Sequence, residues 1–567
     1  MFALSAFLSP LLLASLAIAS PLPSNTQFEP GIRLFFLNVH KTWPSLCHLI
    51  PYAPNFLCPR QTALGSVTVS TPLGSAQGVI DYPGVSRFAV KYASAERWQP
   101  SELATTWELP NGSTNLSTLP LMCPQPYVDD SSFSEDCLSM ILYVPTSLTL
   151  KSEAPTLMWI HGGSFMVGSA TNPGLDGSAL ALATNSIVAV IQYRLGALGF
   201  ISPNGQTNLG LKDTVNALRF LKNVVPSFGG DLSKVTVAGQ SSGANMIRAL
   251  LAVPSAQSLF QSAILQSDPM DYGFLSVANQ NQLQDYFNSI LPCQASDTPC
   301  LNAMSLDEIV TTVGLNQFFN ASMIVPAATQ SEPMRVVNDE SFITSTLDST
   351  SPFPKVTKPI LLSNVAEEAG YIIYGNFPEP VAEPEYQAIV NGTFGTARYQ
   401  SLMGSQLYAI QASTVTDYRP QLQVLGSDSI WRCATWTFAR NWVSNGGTAY
   451  VAVYSVGASY PGNSAVPYCT EAGVVCHQDD IEIVFGTAPN PDSAQAALIT
   501  EMQARYKSFL YTGNPNPAGS TYANWQAAGT SDVNAILLGS PDEASIGACT
   551  TTYWGQTVPY DYQVYGI

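Results

Sequence analysis

The sequence predicts an α/β fold in which a mostly parallel central sheet is flanked by helices. Short apolar, β-branched runs typical of buried strands occur at 157–160 (LMWI), 186–193 (SIVAVIQY) and 234–239 (KVTVAG). Apolar residues at helical spacing follow the second and third runs, at 212–225 and 243–253. Because strands and helices alternate along the chain, we expect a largely parallel sheet with helices against it.

Two later apolar runs, at 358–363 and 448–456, predict further strands of the same sheet. No internal repeat and no long low-complexity linker separates them from the earlier strands. With 567 residues, 46% of them hydrophobic, the chain is long enough for one very large domain. We therefore predict that residues 67–567 form that domain.

The N-terminal stretch predicts a secretory signal peptide at residues 1–19. It has an apolar centre and ends in the small-residue triplet Ala17-Ile18-Ala19, although the usual positive charge before the apolar centre is missing. Residues 20–66 are rich in proline and loop-like, and we interpret them as an extension packed on the core. The expected product is secreted and extracellular.

Other features of the sequence favour an oxidising, extracellular environment. The ten cysteines are an even number suited to disulfides. No later apolar run approaches the length of a membrane span, so we expect no stable membrane anchor. Acceptor sequons for N-glycosylation occur at four asparagines: Asn111, Asn115, Asn320 and Asn391.

Charge and histidine spacing exclude several functional classes. The net charge of −18 argues against nucleic acid or an anionic membrane as a partner, because both need basic patches. The four histidines show no metal-binding spacing, and no phosphate-binding loop is present. We expect neither a metal nor a cofactor, and the sequence leaves the oligomeric state open.

The stretch Gly239-Gln240-Ser241-Ser242-Gly243 fits the G-x-S-x-G pattern between a predicted strand and a predicted helix. In a nucleophile elbow the turn is so tight that the residues two before and two after the serine must lack side chains. The serine hydroxyl then stands at the carboxyl edge of the sheet, where the helix N-terminus faces a developing oxyanion. An ordinary strand-to-helix turn is the alternative interpretation.

A second glycine-rich stretch, His161-Gly162-Gly163-Ser164-Phe165, follows the strand at 157–160. Glycines there allow backbone N–H groups to approach a substrate oxygen without interference from a Cβ atom. A plain turn is the alternative. We expect His161 to be structural or to line a pocket, because it lies on the loop that supplies these N–H donors.

Several collinear stretches resemble the carboxylesterase type-B family of α/β-hydrolases, which includes cholinesterases and fungal esterases and lipases. The resemblance extends from about Val67 to Trp554, and its motifs follow in the order of the family. They are SEDCLSMILYVP, WIHGGSFMVGS, QYRLGALGF, NLGLKDTVNALRFLKNVVPSFGGD, VTVAGQSSGA, AILQSD, HQDDIEIVFG and TGNPNP. The resemblance implies an α/β-hydrolase fold and carboxylic-ester hydrolysis.

Serine needs a base, and the base needs an orienting carboxylate, in the chain order serine, acid, histidine. Ser241 is the expected nucleophile, and His477 is the histidine that follows it in a family-like motif. Of the two adjacent glutamates after the strand at 358–363, the motif position favours Glu368 as the acid. Glu367 is then expected to be a solvated neighbour.

The resemblance also implies the oxyanion donors, the backbone N–H groups of Gly163, Ser164 and Ser242. Three residues depart from the family pattern: Gln240 stands where glutamate is usual, Ser164 at the third glycine, and Ser242 where alanine is common. None of them removes a backbone donor. Asp479 and Asp480 are expected to be structural, since residues so close in sequence rarely point back at the same imidazole.

For the cysteines, the resemblance implies pairs Cys123–Cys137 and Cys293–Cys300, and pairs Cys433 near the C-terminus, where Cys549 is available. Proximity suggests Cys47–Cys58 and Cys469–Cys476 for the rest, although cross-pairing among these four is the alternative. Arg194 and Asp213 are expected to form a buried structural ion pair.

The segment between Cys123 and Cys137 is short and polar, whereas family lipases carry a long apolar lid there. We therefore expect an esterase acting on small or medium esters. The alternatives are a lipase for longer acyl glycerides, or a non-catalytic binding or adhesion homologue. Such homologues typically lack a triad residue, and this chain keeps all three.

Overall fold

The computed structural model describes residues 65–313, 333–409 and 415–566. The expected signal peptide, nearly all of the expected extension, the Cys47–Cys58 pair and the Asn320 sequon lie outside these ranges. The first described strand begins at Gly65, two residues before the expected start of the domain at residue 67.

An eleven-stranded sheet forms the centre of the described chain. Its strands, in chain order, are β1 (Gly65–Thr71), β2 (Gly74–Tyr82), β3 (Val85–Lys91), β4 (Ser139–Pro145), β5 (Ala154–Ile160), β6 (Ile187–Ile191), β7 (Gly230–Gln240), β8 (Ser262–Gln266), β9 (Pro359–Val365), β10 (Thr448–Tyr454) and β11 (Ile536–Leu538). Their spatial order is β1-β2-β3-β4-β6-β5-β7-β8-β9-β10-β11. Two-residue strands pair outside this sheet, Ala93–Ser94 with Glu102–Leu103 and Leu275–Ser276 with Val337–Asn338.

Strands β1 to β4 pair antiparallel, and β4 also pairs antiparallel with β6. Every pairing from β6 to β11 is parallel. The carboxyl ends of β7, β8, β9 and β10 therefore meet at one edge of the sheet. The mostly parallel sheet predicted from the sequence is confirmed.

The parallel strands are buried on both faces, which is why their sequences are almost continuously apolar. Along β5, Met158 and Ile160 pack into one hydrophobic core, and Leu157 and Trp159 pack into another. Successive side chains of a strand point to opposite faces, so the two cores lie on the two sides of the sheet. The five predicted strands are all present, with ends shifted by a few residues.

Helices cover the sheet. The α-helices of the described residues are α1 (Ser178–Thr184), α2 (Gly196–Phe200), α3 (Leu209–Val224), α4 (Ser242–Leu251), α5 (Val277–Ile290), α6 (Thr298–Ala303), α7 (Gly370–Asn376), α8 (Glu383–Met403), α9 (Arg419–Gly426), α10 (Cys433–Ser444), α11 (Ile481–Phe485), α12 (Ser493–Thr512) and α13 (Asp561–Tyr565). Both predicted helices are found, as α3 and α4. None of the helices in the described ranges combines the length and the hydropathy that a bilayer crossing requires.

Disulfides and a buried ion pair fix the connections between these elements. The disulfides are Cys123–Cys137, Cys293–Cys300, Cys433–Cys549 and Cys469–Cys476. The first two are pairs that the resemblance implies, and the last joins the two cysteines that flank the approach to His477. Arg194 and Asp213 form a buried two-point ion pair, with Nη2 of the arginine 2.8 Å from Oδ1 of the aspartate. The predicted structural ion pair is confirmed.

Candidate active site

The three residues expected to form a triad all follow parallel strands of the central sheet. Ser241 comes directly after β7, Glu368 follows β9 by three residues, and His477 lies in the long connection after β10. Because the carboxyl ends of parallel strands share one edge, the sheet delivers all three to the same side of the molecule.

The turn around Ser241 tolerates only glycine at the two positions that the sequence pattern singled out. A Cβ atom on Gly239 would lie 2.6 Å from the carbonyl oxygen of Ile160, and one on Gly243 would lie 2.2 Å from the same oxygen. Both distances are too short for two non-bonded heavy atoms. The two glycines therefore let the strand-to-helix turn pack directly against the end of β5.

Ser241 itself occupies a strained backbone conformation, with φ 58° and ψ −128°. Its N–H donates to the carbonyl of Gln266 at 2.9 Å, and its carbonyl accepts from Asn245 at 3.0 Å. The strain is held by hydrogen bonds on both sides, which is typical of a residue whose side chain must point in one direction.

Glu368 and His477 are in direct contact: Nδ1 of the histidine lies 2.6 Å from Oε2 of the glutamate. Glu368 is fully buried, and its other oxygen, Oε1, accepts from the N–H of Val365 at 3.0 Å and faces the Asn364 amide at 3.4 Å. The carboxylate is thus fixed at the end of β9. Because a carboxylate only accepts, Nδ1 carries the proton and Nε2 of His477 is left as the acceptor.

Three further residues contact His477, two at its ring and one at its backbone. Gln240, which precedes the serine, places its Nε2 atom 3.1 Å from Nε2 of His477. The Trp431 ring lies against the imidazole with 5.4 Å between ring centroids, and Asn463 donates to the His477 carbonyl at 2.9 Å. None of these contacts was predictable from the sequence, because nothing local to the three residues marks them as neighbours of position 477.

The expectation that Glu367 is a solvated neighbour is wrong. Its Oε2 accepts from the N–H of Val475 at 2.8 Å, and its own N–H donates to the Val475 carbonyl at 3.0 Å. Partial burial raises the pKa of its carboxyl group. Adjacent residues at the strand end point in different directions, so Glu368 faces the imidazole while Glu367 fastens the backbone two residues before His477.

Asp479 and Asp480 contact other groups. Asp479 accepts from Tyr460 N–H, Asn463 and Cys476 N–H, and burial raises its pKa to about 8. Asp480 accepts from the Gln266 side chain, and burial raises its pKa to about 6, with the nearby charge of Glu368 adding to the effect. Both aspartates brace the loop that carries the histidine, as expected of structural groups.

The loop after β5 lies close to the serine. A Cβ atom on Gly162 would lie 3.0 Å from Cβ of Ser241, so glycine is needed there for close approach. Gly163 has φ 116° and Ser164 has φ 54°, and both residues are buried. Among the described residues, none accepts a hydrogen bond from the N–H groups of Gly163 and Ser164. Buried N–H groups are rarely left without an acceptor, so these two are open to a ligand oxygen.

Ser242 connects this loop to the helix that follows the serine. It is the first residue of α4, where an N–H has no acceptor within the helix, and its Oγ accepts from the Phe165 N–H at 3.3 Å. The N–H groups of Gly163, Ser164 and Ser242 thus belong to two segments joined by a side-chain hydrogen bond.

His161 is a buried, neutral residue of the pocket wall. Its Nδ1–H donates to the Gly162 carbonyl at 2.8 Å, and its ring stacks on Tyr193 with centroids 4.6 Å apart. Burial lowers its pKa to about 4. A histidine that stays neutral at pH 7 and is tied to its own loop fits the predicted structural role.

A pocket opens beside Gly162, Gly163 and Gln240. The segment between Cys123 and Cys137 contributes one wall of it. Among the described residues, no Asp, Glu, Lys or Arg lines it. The lining residues are Met122, Gln125, Pro126, Tyr127, Val128, Trp159, His161, Gly162, Gly163, Val167, Gly168, Asn172, Leu175, Gln240, Tyr460, Gly462, Asn463, Gln478 and Ile481. The surface is neutral and mixes amide and apolar groups.

Comparison with known proteins places this arrangement in context. The sequence profile of the carboxylesterase family matches residues 65–552. Carboxylesterase 1D of Mus musculus is 26% identical over 79% of this chain and 83% of its own length. The para-nitrobenzyl esterase of Bacillus subtilis is 36% identical over 35% of this chain and 43% of its own length.

Two other likenesses each cover more than two thirds of the chain. The cAMP-regulated D2 protein of Dictyostelium discoideum is 29% identical over 71% of this chain and 75% of its own. The solved structure of a thermophilic PNB esterase superposes with a TM-score of 0.66 over 83% of this chain and 95% of the other, at 23% identity. This structural likeness confirms the predicted α/β-hydrolase fold.

Proposed function

The chain belongs to the carboxylesterase family and is a carboxylic-ester hydrolase, and we propose that it works through a Ser241–His477–Glu368 triad and an acyl-enzyme. The observation that carries this proposal is the 2.6 Å contact between His477 and a fully buried Glu368, at the sheet edge where Ser241 occupies a strained turn. A buried carboxylate against Nδ1 fixes the tautomer in which Nε2 is unprotonated and can act as a base.

In the first half of the proposed reaction, His477 Nε2 removes the Ser241 proton as Oγ attacks the ester carbonyl. The imidazolium then gives that proton to the leaving alcohol, and the acyl group stays on Ser241. In the second half, His477 activates water, which releases the acid. Glu368 fixes the imidazole tautomer and stabilises the imidazolium in both halves.

The oxyanion of each tetrahedral intermediate is held by the N–H groups of Gly163, Ser164 and Ser242. Their burial, and the absence of protein acceptors for Gly163 and Ser164 in the described ranges, support this assignment. Donors already in place need no reorganisation when charge develops on the oxygen. Loss of one such donor lowers turnover on the order of a hundredfold or more.

For the substrate, we propose uncharged small or medium esters. The pocket beside Gly162, Gly163 and Gln240 is lined by no Asp, Glu, Lys or Arg among the described residues, and buried His161 stays neutral. An ionic group placed there would be desolvated without a partner. The short polar segment between Cys123 and Cys137 forms one wall and favours an esterase over a lipase.

We further propose that the protein is secreted. The apolar stretch at residues 1–19, the even number of cysteines and the sequons at Asn111, Asn115, Asn320 and Asn391 support this proposal. The disulfides at Cys123–Cys137, Cys293–Cys300, Cys433–Cys549 and Cys469–Cys476 agree with an oxidising compartment.

The test is hydrolysis of p-nitrophenyl esters from acetate to laurate by the wild type and Ser241→Ala. We expect the variant to lose activity on every ester and the wild type to be fastest on short or medium chains. Ser233→Ala is a matched control, since Ser233 is an exposed residue at the opposite end of the same strand. Unchanged turnover by Ser241→Ala would remove Ser241 from the mechanism.

A second measurement separates an esterase from the alternatives. Initial rates on a long-chain triglyceride are followed through its solubility limit. A smooth saturation supports an esterase, whereas a jump in rate at the limit would identify a lipase. A folded wild type that hydrolyses none of these esters would favour a binding or adhesion role.

A further inference from the structure

Gln240 is the residue before the proposed nucleophile in sequence, and its side chain contacts the proposed base. Its side chain is fully buried, and its Nε2 atom is 3.1 Å from His477 Nε2. Its Oε1 atom is buried without a hydrogen-bond partner among the described residues, close to Gly162. A buried amide with one partnered and one unpartnered end needs an explanation.

The protonation of His477 decides which end of the amide faces the ring. Glu368 accepts at Nδ1, so the neutral imidazole presents a lone pair at Nε2. An amide oxygen facing that lone pair would be repelled, whereas an amide N–H donates to it. The neutral ring therefore selects the observed orientation, with nitrogen towards the histidine and oxygen away.

The carboxylates around His477 favour the protonated, positively charged imidazole instead. From the turn after β9, Glu368 contacts the ring and Glu367 holds the backbone just before it. From the ring's own loop, Asp479 and Asp480 are buried close by. The helical segment Ser427–Arg432, which contains Trp431, also contains Asp428 and Arg432, and these two residues pair with each other.

Gln240, whose amide contacts His477 Nε2, is uncharged. Every nearby carboxylate stabilises an imidazolium to the degree that it is ionised.

We propose that Gln240 is a positioning residue that donates a hydrogen bond to His477 Nε2 in the resting enzyme, holding the imidazole neutral until the Ser241 hydroxyl takes that place in the reaction. This inference rests on the proposed triad. The hydrogen bond exists only while Nε2 is unprotonated. It therefore opposes the neighbouring carboxylates, which stabilise the imidazolium. As a result, His477 stays unprotonated at lower pH, and the enzyme stays active there.

The same proposal accounts for the unpartnered Oε1 atom of Gln240. When His477 takes the proton from Ser241, Nε2–H becomes a donor and no longer tolerates an amide N–H opposite. Reversal of the Gln240 amide would turn Oε1 towards the ring as an acceptor. A glutamate at position 240 could only accept, so it would stabilise the imidazolium in the resting enzyme as well.

The test is the pH dependence of kcat/KM on p-nitrophenyl acetate for the wild type, Gln240→Glu and Gln240→Met. We expect Gln240→Glu to shift the acid limb upward by about one pH unit or more, as a carboxylate beside a titrating base does. Gln240→Met fills the same space without a hydrogen bond. It should lower kcat several-fold, change KM little, and shift the acid limb far less than glutamate does.

Gln400→Glu is the matched charge control, because Gln400 is exposed on α8 and the substitution adds the same charge. It should leave the acid limb in place. If Gln240→Glu does not fold, Gln240→Asn supplies a shorter amide that cannot reach the ring and should lower kcat as methionine does.

Two results would overturn the proposal: an acid limb in Gln240→Glu that coincides with the wild type, or full turnover in Gln240→Met. The Ser241→Ala variant distinguishes failure of the proposal for Gln240 from failure of the proposed triad. If Ser241→Ala is inactive while the profiles coincide, only the role of Gln240 is lost. If Ser241→Ala stays active, the proposed mechanism itself fails.

Discussion

His477 Nδ1 lies 2.6 Å from Oε2 of Glu368, across 109 residues of sequence. The glutamate is fully buried and is held by the Val365 N–H at the end of its strand. A short contact between an imidazole and a fixed carboxylate determines where the imidazole proton resides. The position of that proton sets the reactivity of the other ring nitrogen.

Glu368→Gln is expected to lower kcat by about a thousandfold or more while the protein stays folded. The amide is nearly isosteric, but it offers the imidazole a neutral partner and permits the wrong tautomer. Steady-state kinetics on p-nitrophenyl acetate measure the effect. Glu367→Gln is the matched control, and its loss of kcat should be far smaller because Glu367 contacts the backbone of Val475. Equal losses in the two variants would contradict the assignment of Glu368.

Ser242→Ala is expected to lower kcat about tenfold with little change in KM. The hydroxyl accepts from the Phe165 N–H at 3.3 Å, so its loss frees the loop that presents Gly163 and Ser164. Misplacing preorganised donors weakens binding of the transition state more than binding of the substrate. Kinetics with a short ester measure this, and a rise in KM at constant kcat would show that the hydroxyl serves substrate binding instead.

The thermal stability of the protein is expected to fall as the pH rises from 5 to 8. Burial raises the pKa of Glu482 from 4.5 to about 7, and Asp479 and Asp480 are raised in the same direction. The folded state then binds protons that the unfolded state releases. This contribution is complete below the unfolded pKa and is lost as the pH rises through the folded one.

Glu482→Gln isolates one of these groups, since the amide stays neutral in both states. Its Tm should fall less between pH 5 and pH 8 than that of the wild type, by about 2 °C or more. Scanning calorimetry at matched ionic strength measures the difference. Parallel Tm curves for the two proteins would mean that Glu482 is ionised in the folded state.

Glycan occupancy is expected to differ between two neighbouring sequons. The Asn111 Nδ2 atom, the nitrogen that would carry a glycan, donates to the Leu119 carbonyl at 3.0 Å. Asn115 is exposed and uses only its Oδ1, which accepts from the Ser117 N–H, among the described residues. Peptide mass spectrometry of the protein produced in a glycosylating eukaryotic host should find a glycan on Asn115 more often than on Asn111, and the reverse order would contradict this ranking.

Burial on both faces determined which strands could be predicted from the sequence. Strands buried on both faces, such as β5 and β10, are continuous apolar runs and were predictable. Strand β1 alternates partly buried and exposed residues at the antiparallel end of the sheet, and its polar sequence gave no such signal. Gly239 and Gly243 were predictable from the G-x-S-x-G pattern, and the structure supplies the reason, because a Cβ atom on either would clash with the Ile160 carbonyl.

The sequence by itself determined which residues could be nucleophile, acid and base, because the elbow pattern and the order of the motifs are read directly along the chain. Tertiary structure decided the rest. It turned Glu368 towards the imidazole and Glu367 towards the backbone, and it brought the Gln240 amide to His477 across 237 residues. Such contacts depend on the pairing of distant strands and on the path of the loop that carries His477, which no local pattern encodes.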